Sequence, residues 1–332
     1  MTPDRVSQLL AAFQTKRILV IGDLMLDEFL WGKVSRISPE APVPVVEVVK
    51  EEYFPGGAAN VARNLAEFTR GVRVMGVTGT GTHADQLKAL LTGEGIDVDA
   101  VQSHACYETV VKTRIIARQQ HVVRIDREKK MQLRPEHAAA ALARIDALLP
   151  EIDAIIIEDY GKGMLSQDFA TAVCERAHRA GKILAVDPNP NNPLAWHRVT
   201  AIKPNRAEAF ASAGLPPTEP VEPPTEDAAL LEVGRLLSAK WDADNLLITL
   251  GEHGVMLFCN DAPPYHAPTR AQKVFDVSGA GDTVIALFTL ALSAGCTTAE
   301  AAELANHASG IVVGKLGTAT VTPAELLASF AA

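Results

Sequence analysis

Four short runs constrain this chain more than anything else in it: Arg17-Ile-Leu-Val-Ile-Gly22, Ala154-Ile-Ile-Ile-Glu158, Ile183-Leu-Ala-Val-Asp187 and Asn245-Leu-Leu-Ile-Thr-Leu250. Each is apolar without alternation, and each stops at or next to a polar residue or glycine. A strand that is apolar on both faces must be covered on both faces. The stretches around these runs supply the cover, because residues 58–69, 84–91, 136–149 and 168–180 repeat their apolar positions with helical spacing. Residues 72–77 read as a further strand. The pattern predicts an α/β fold, a mainly parallel sheet with helices on both faces. In such sheets ligands bind beyond the carboxyl ends of the strands. Asp23, Asp159, Asp187 and Gly251 fall at or just past those ends.

Two segments break the pattern. Residues 29–53 contain the alternating run Val43-Pro-Val-Val-Glu-Val-Val, and residues 109–126 alternate too, carrying Lys112, Arg114, Arg118 and Arg124. They read as strands of a small β-sheet lid over the site, placed to form a homodimer interface. The proline-rich stretch 215–225 reads as a surface loop. With no linker or repeat in view, residues 1–332 read as a single domain.

Composition removes several classes. The formal net charge of −9 does not suit a nucleic-acid binder, which needs a basic footprint. The four scattered cysteines form no Cys-x-x-Cys pair and the histidines no His-Glu-x-x-His. The longest apolar run, residues 284–294, is too short to span a bilayer. A cytoplasmic location is expected, with no membrane partner. Gly79-Thr-Gly-Thr-His-Ala84 matches a dinucleotide-type spacing, but that pattern alone is weak. The phosphate-binding string Gly-x-x-x-x-Gly-Lys-Ser/Thr does not occur.

The strongest motif is Asp276-Val-Ser-Gly-Ala-Gly-Asp-Thr283 at the start of an apolar helix. Small residues there let the backbone N–H groups of Gly279, Ala280, Gly281 and Asp282 converge on an anion at the positive end of the helix dipole. A carboxylate in that first turn is poorly suited to holding phosphate. It is well placed to accept a proton from a hydroxyl that attacks phosphorus. Asp282 is thus the expected general base.

Asp-x-x-Gly-Ala-Gly-Asp resembles the C-terminal signature of the ribokinase-like carbohydrate kinases of the phosphofructokinase B type. Pro55-Gly-Gly-Ala-Ala-Asn60 resembles their N-terminal Gly-Gly motif, Lys203-Pro-Asn-Arg-Ala-Glu208 their Asn-x-x-Glu element, and Thr249-Leu-Gly-Glu-His-Gly254 their nucleotide loop. The resemblance implies ATP bound by Asn205, Arg206, Ala207, Glu208, Thr249, Gly251, Gly254 and Asn306. It implies Mg2+ held by Asn205 and Glu208 through water, and a monovalent cation such as K+ beside Asp276. Gly22-Asp-Leu-Met-Leu-Asp27, Arg36-Ile-Ser-Pro-Glu-Ala-Pro-Val-Pro-Val45, Lys112-Thr-Arg114, Ala117-Arg-Gln-Gln120 and Asp159-Tyr-Gly-Lys-Gly163 resemble the kinases of D-glycero-β-D-manno-heptose 7-phosphate in ADP-heptose biosynthesis for the lipopolysaccharide core. The chain ends soon after the kinase motifs, so it resembles the stand-alone form. That family implies phosphorylation of the sugar phosphate at O1. Expected sugar contacts are Asp23, Asp27, Gly56, Gly57, Asn60, Gln120 and Asp187, with Arg114, Arg118, Arg124 or Lys162 as the basic groups for the 7-phosphate. The same chemistry on another sugar phosphate or a nucleoside, and a non-catalytic sugar-phosphate binder on this fold, are the alternatives.

Overall fold

In the computed structural model the described residues are 1–331 without 118, 119, 261, 271–273 and 316. The strands run, in chain order, β1 (Arg17–Gly22), β2 (Leu24–Ile37), β3 (Pro44–Gly57), β4 (Gly71–Thr78), β5 (Asp97–Ser103), β6 (Val110–Ala117), β7 (Gln120–Arg127), β8 (Ala154–Glu158), β9 (Ile183–Asp187), β10 (Val199–Ile202), β11 (Ala243–Thr249), β12 (Val255–Cys259) and β13 (Ala262–Ala267). Nine of them form one sheet in the order β13-β12-β11-β10-β9-β8-β1-β4-β5. From β5 to β11 every pairing is parallel, and β12 and β13 extend the β11 edge antiparallel. The continuously apolar runs are the central strands. Ile18, Leu19, Val20 and Ile21 of β1 and Ile155, Ile156 and Ile157 of β8 are fully buried. One apolar cluster packs on each face of the sheet.

The helix Ala280–Ser293 lies at the centre of one of these layers. Its residues 282–291 are all buried, as expected of a helix that is apolar around its circumference. It packs against the helices Ala58–Ala66 and Thr298–Val312 and against β8 and β9. Its first turn is therefore held in place beyond the carboxyl edge of the sheet.

The lid is a separate four-stranded sheet, β3-β2-β6-β7. β2 and β3 pair antiparallel from Leu24↔Gly57 to Ile37↔Pro44, and β6 adds to β2 in parallel. The lid strands thus begin at Leu24 and reach Gly57, further than the 29–53 expected. The register places Asp27, Lys112 and Asp126 side by side across three strands. Val123 and Ile125 lie on the opposite face, with Ile115 and Thr113 as their partners. Among the described residues no helix is long and apolar enough to cross a membrane.

Candidate active site

Glu158 ends β8, Asp187 ends β9, and Asp282 stands in the first turn of the Ala280–Ser293 helix. One carboxylate oxygen from each of the three lies within 4.8 Å of the others. Lys203, just past β10, brings its Nζ to 2.6 Å from Asp187. Burial raises the Glu158 carboxyl well above its ordinary range, and the charges of Asp187 and Asp282 raise it further. Burial also raises Asp187, against the pull of Lys203. For Lys203, burial works to lower its affinity for the proton, but Asp187 and Glu158 outweigh it and the result is raised. The two partners point in different directions, since a raised Asp187 favours its neutral form. The 2.6 Å separation decides for the charged pair, and Glu158 beside it favours its neutral form. Glu158 Oε1 is buried with no hydrogen-bond partner.

Both oxygens of Asp282 are engaged. Asn60 Nδ2 donates to Oδ2 at 2.7 Å, and the Tyr160 hydroxyl donates to Oδ1 at 2.8 Å. Burial raises the Asp282 carboxyl, while these two donors and Lys203 oppose the rise. Gly279 precedes the helix with φ +80°, and a Cβ there would sit 2.8 Å from Asn60 Nδ2. Glycine is required at that position on both counts.

Two clefts meet at this helix start. An apolar cavity of about 510 Å³ is lined by Thr249, Gly251, Gly254, Asn306 and the side chains of Val255, Val277 and Val284. A polar cleft of about 570 Å³ holds Glu158, Asp187, Lys203, Asn205, Glu208 and Asp282. They share Thr249, Leu250, Gly251, Val277 and Gly281, so one groove runs from an apolar end to an acidic end.

The expected residues divide. Asp282, Ala280, Gly281, Asp187, Ala207 and the 249–254 loop line this groove, with Gly279 just before it in the chain and Asn60 bonded to Asp282. Asn205 and Glu208 line it as well, but they are bonded to each other. Asn205 Oδ1 accepts from the Glu208 N–H at 2.9 Å, and Glu208 Oε2 accepts from the Asn205 N–H at 2.8 Å. This is a capping box for the helix Arg206–Ala213, and among the described residues it leaves Glu208 Oε1 free at the cleft. Arg206 pairs with Asp227 at 2.9 Å and lies over the Phe210 ring. Asn306 donates to the Pro268 carbonyl at 2.7 Å.

Several sugar contacts are placed otherwise than expected. Asp23 Oδ2 accepts from the N–H groups of Tyr160 and Lys162, and Oδ1 from that of Met164. It anchors the 160–164 turn and has little capacity left for a sugar. Gly56 and Gly57 are needed for chain packing. A Cβ on Gly56 would meet Asp27 Oδ2 at 2.5 Å, and one on Gly57 would meet the Asp23 carbonyl at 2.6 Å. Asp27 pairs with Arg114, which also lies over the Phe29 ring. Lys162 pairs with Glu128 at 2.6 Å. Gln120 and Arg124 lie on β7, whose eight residues are all exposed, and Arg124 pairs with Asp126. Arg118 lies outside the described residues. Asp276 uses both oxygens on backbone N–H groups, those of Ser278 and Gly317. Burial disfavours its charge, yet those amides hold its carboxyl below the ordinary range.

Residues 15–325 match the model of the pfkB family carbohydrate kinases. The chain belongs to this family. Two proteins named "Bifunctional protein HldE" are close relatives. That of Desulfatibacillum aliphaticivorans is 42% identical over 95% of this chain and 63% of its own length. That of Trichlorobacter lovleyi is 40% identical over 98% and 65%. The chain thus spans less than two thirds of these relatives. They are named bifunctional, and give no support to the stand-alone form expected from the sequence. Among solved structures, phosphofructokinase-2 from Escherichia coli in complex with potassium superposes with a TM-score of 0.75 at 16% identity, covering 96% of this chain and 99% of that one. Ribokinase from Arabidopsis thaliana complexed with ribose and ATP does so with 0.69 at 18%, covering 96% and 99%. At such identities the likeness concerns the fold, a pfkB-type sheet with helices and a small lid. Membership makes the chain an ATP-dependent sugar kinase, and enzymes of the family use ATP with a divalent metal.

Sequence reasoning about this pfkB chain overlooked Glu158, Tyr160, Lys203 and the valines of the apolar cavity as site residues. Glu158 carried a usable signal, since it ends a central strand that is legible in the sequence, whereas Lys203 follows the short β10, which is not. Lys112 was noticed but given no role. It is half-buried on β6 and has no ion-pair partner among the described residues. Burial depresses it and Lys162 depresses it further, while Asp27 and Asp126 on the flanking strands oppose the shift.

Proposed function

We propose that the chain transfers the γ-phosphoryl group of ATP to O1 of D-glycero-β-D-manno-heptose 7-phosphate, giving the 1,7-bisphosphate used in ADP-heptose assembly for the lipopolysaccharide core. The observation that carries the reading is the position of Asp282. It stands at a helix N-terminus, where an apolar cavity sized for a nucleobase meets an acidic cleft.

The nucleotide takes the groove, its base in the apolar cavity and its phosphates toward residues 279–282. Asp282 accepts the proton of the anomeric hydroxyl as O1 bonds to the γ-phosphorus and the bond to the β,γ-bridging oxygen breaks, releasing ADP. The N–H groups of residues 279–282 stabilise the charge of the transferring group. The unpartnered buried Oε1 of Glu158 fits a divalent cation, and Glu158 with Asp187 would hold Mg2+. Bound there, Mg2+ neutralises phosphate charge. Asp276 accepts one backbone N–H on each oxygen and keeps a lone pair on each for a monovalent cation such as K+. The lid closes over the sugar and excludes water. Lys112, a partly desolvated ammonium on the lid with no ion pair among the described residues, suits the 7-phosphate, which would join Asp27 and Asp126 in balancing its charge. We read residues 1–332 as one kinase domain that pairs with a second copy through the lid.

An ADP-release assay over a panel of phosphorylated sugars and nucleosides tests the acceptor. Turnover is expected to be fastest with the heptose 7-phosphate, and Lys112→Met is expected to raise KM for that sugar about tenfold or more. Turnover of a hexose phosphate with none of the heptose would reject the acceptor and leave the kinase reading intact.

A further inference from the structure

The base proposed for this site is not free. Asn60 and Tyr160 each donate to one of its two oxygens, and a sugar hydroxyl must compete with one of these donors for the proton-accepting lone pair. The two donors are held differently. Asn60 is buried on the helix Ala58–Ala66, in the core of the molecule. Tyr160 belongs to the irregular 160–164 turn after β8.

That turn has two sets of ties. On one side it hangs from Asp23 through the N–H groups of Tyr160, Lys162 and Met164, at 3.1, 2.9 and 3.0 Å. On the other side the carbonyls of Lys162 and Gly163 accept from the N–H groups of Met131 and Leu133, at 3.2 and 2.9 Å. Lys162 Nζ adds the pair with Glu128 at 2.6 Å. Residues 128–133 are the stretch that follows β7, the last strand of the lid. A displacement of the lid is therefore passed by hydrogen bonds to the turn that carries Tyr160.

We propose that Tyr160 is a positioning residue that latches Asp282: without sugar its phenol occupies the carboxylate oxygen that the sugar hydroxyl needs, and a sugar entering under the lid displaces it. The proposal rests on the reading of Asp282 as the base. A latched carboxylate is a weaker proton acceptor for water, so ATP bound alone hydrolyses more slowly. The sugar must break a charge-assisted hydrogen bond to enter, which weakens its apparent affinity by the fraction of latched enzyme.

Tyr160→Phe in the full chain keeps the ring and removes the hydroxyl. It is expected to lower KM for the sugar by about three- to tenfold, with kcat within about twofold, because Tyr160 has already left Asp282 in the turnover complex. ATP hydrolysis without sugar is expected to rise by a similar factor. Calorimetric titration of the sugar onto ATP-free enzyme is expected to show the same tightening, and Tyr160→Leu to behave alike. A raised KM would make Tyr160 a sugar contact and overturn the latch. A fall in kcat at unchanged KM, or no change in KM and hydrolysis, overturns it as well. Asp282→Asn assayed alongside separates the two readings. Turnover retained in that variant removes the base and the latch together, whereas its loss without tightening in Tyr160→Phe removes the latch alone.

Discussion

Three carboxyls and one ammonium share the floor of the site at the ends of β8, β9 and β10 and the start of the Ala280–Ser293 helix. Because burial holds Glu158 and Asp282 above the ordinary carboxylate range, the native state keeps protons on them at pH values where the unfolded chain has released them. Their contribution therefore favours the fold at lower pH and is lost as pH rises past the ordinary carboxylate range. Lys203 offsets this charge. Lys203→Met should cost about 3–5 kcal/mol of unfolding free energy near pH 8, the cost of leaving a buried partner uncompensated. Near pH 6 the loss should be smaller, because Asp187 then takes up a proton. Urea unfolding at the two pH values checks this, and an equal loss at both would contradict it. Asp282 was legible because its neighbours are chemically distinctive. The ties of Asp23 were not legible because its partners, the amides of Tyr160, Lys162 and Met164, lie far along the chain. Hydrogen bonds of that range leave no local trace.

The central strands were legible as elements because full burial writes itself into sequence as unbroken apolar runs. β8 and β9 have the bounds expected, and the helices 136–149 and 168–180 differ by a residue at each end. β5, β10, β12 and β13 escaped notice. They are short or lie toward a sheet edge, where one exposed face dilutes the apolar signal, as in the four exposed residues that begin β13. The Asn205–Glu208 spacing was read as a metal element, although it is equally the signature of a helix start. The two readings separate experimentally. Asn205→Ala should lower stability by about 1 kcal/mol through loss of the cap and leave the Mg2+ dependence of the rate unchanged. A large fall in apparent Mg2+ affinity would return Asn205 to the metal.

At the scale of the whole molecule, the lid has two faces with different chemistry. One carries Asp27, Lys112 and Arg114. The other leaves Val123 47% and Ile125 41% exposed on a strand with no buried residue. An apolar strand face of that kind suits burial against a second copy. Sedimentation should find a dimer, and the double variant Val123→Glu, Ile125→Glu should be monomeric with its core fold retained. A wild-type monomer at micromolar concentration would contradict the lid interface.

The central claim is that this pfkB-family chain moves a phosphoryl group by means of one carboxylate, and the turnover number of Asp282→Asn tests it most directly. Asparagine keeps the shape and can still bond to Asn60 and Tyr160, but it cannot accept the sugar's proton. With ATP affinity preserved, kcat should fall by about 10²–10⁴. A variant that turns over near the wild-type rate would contradict the account.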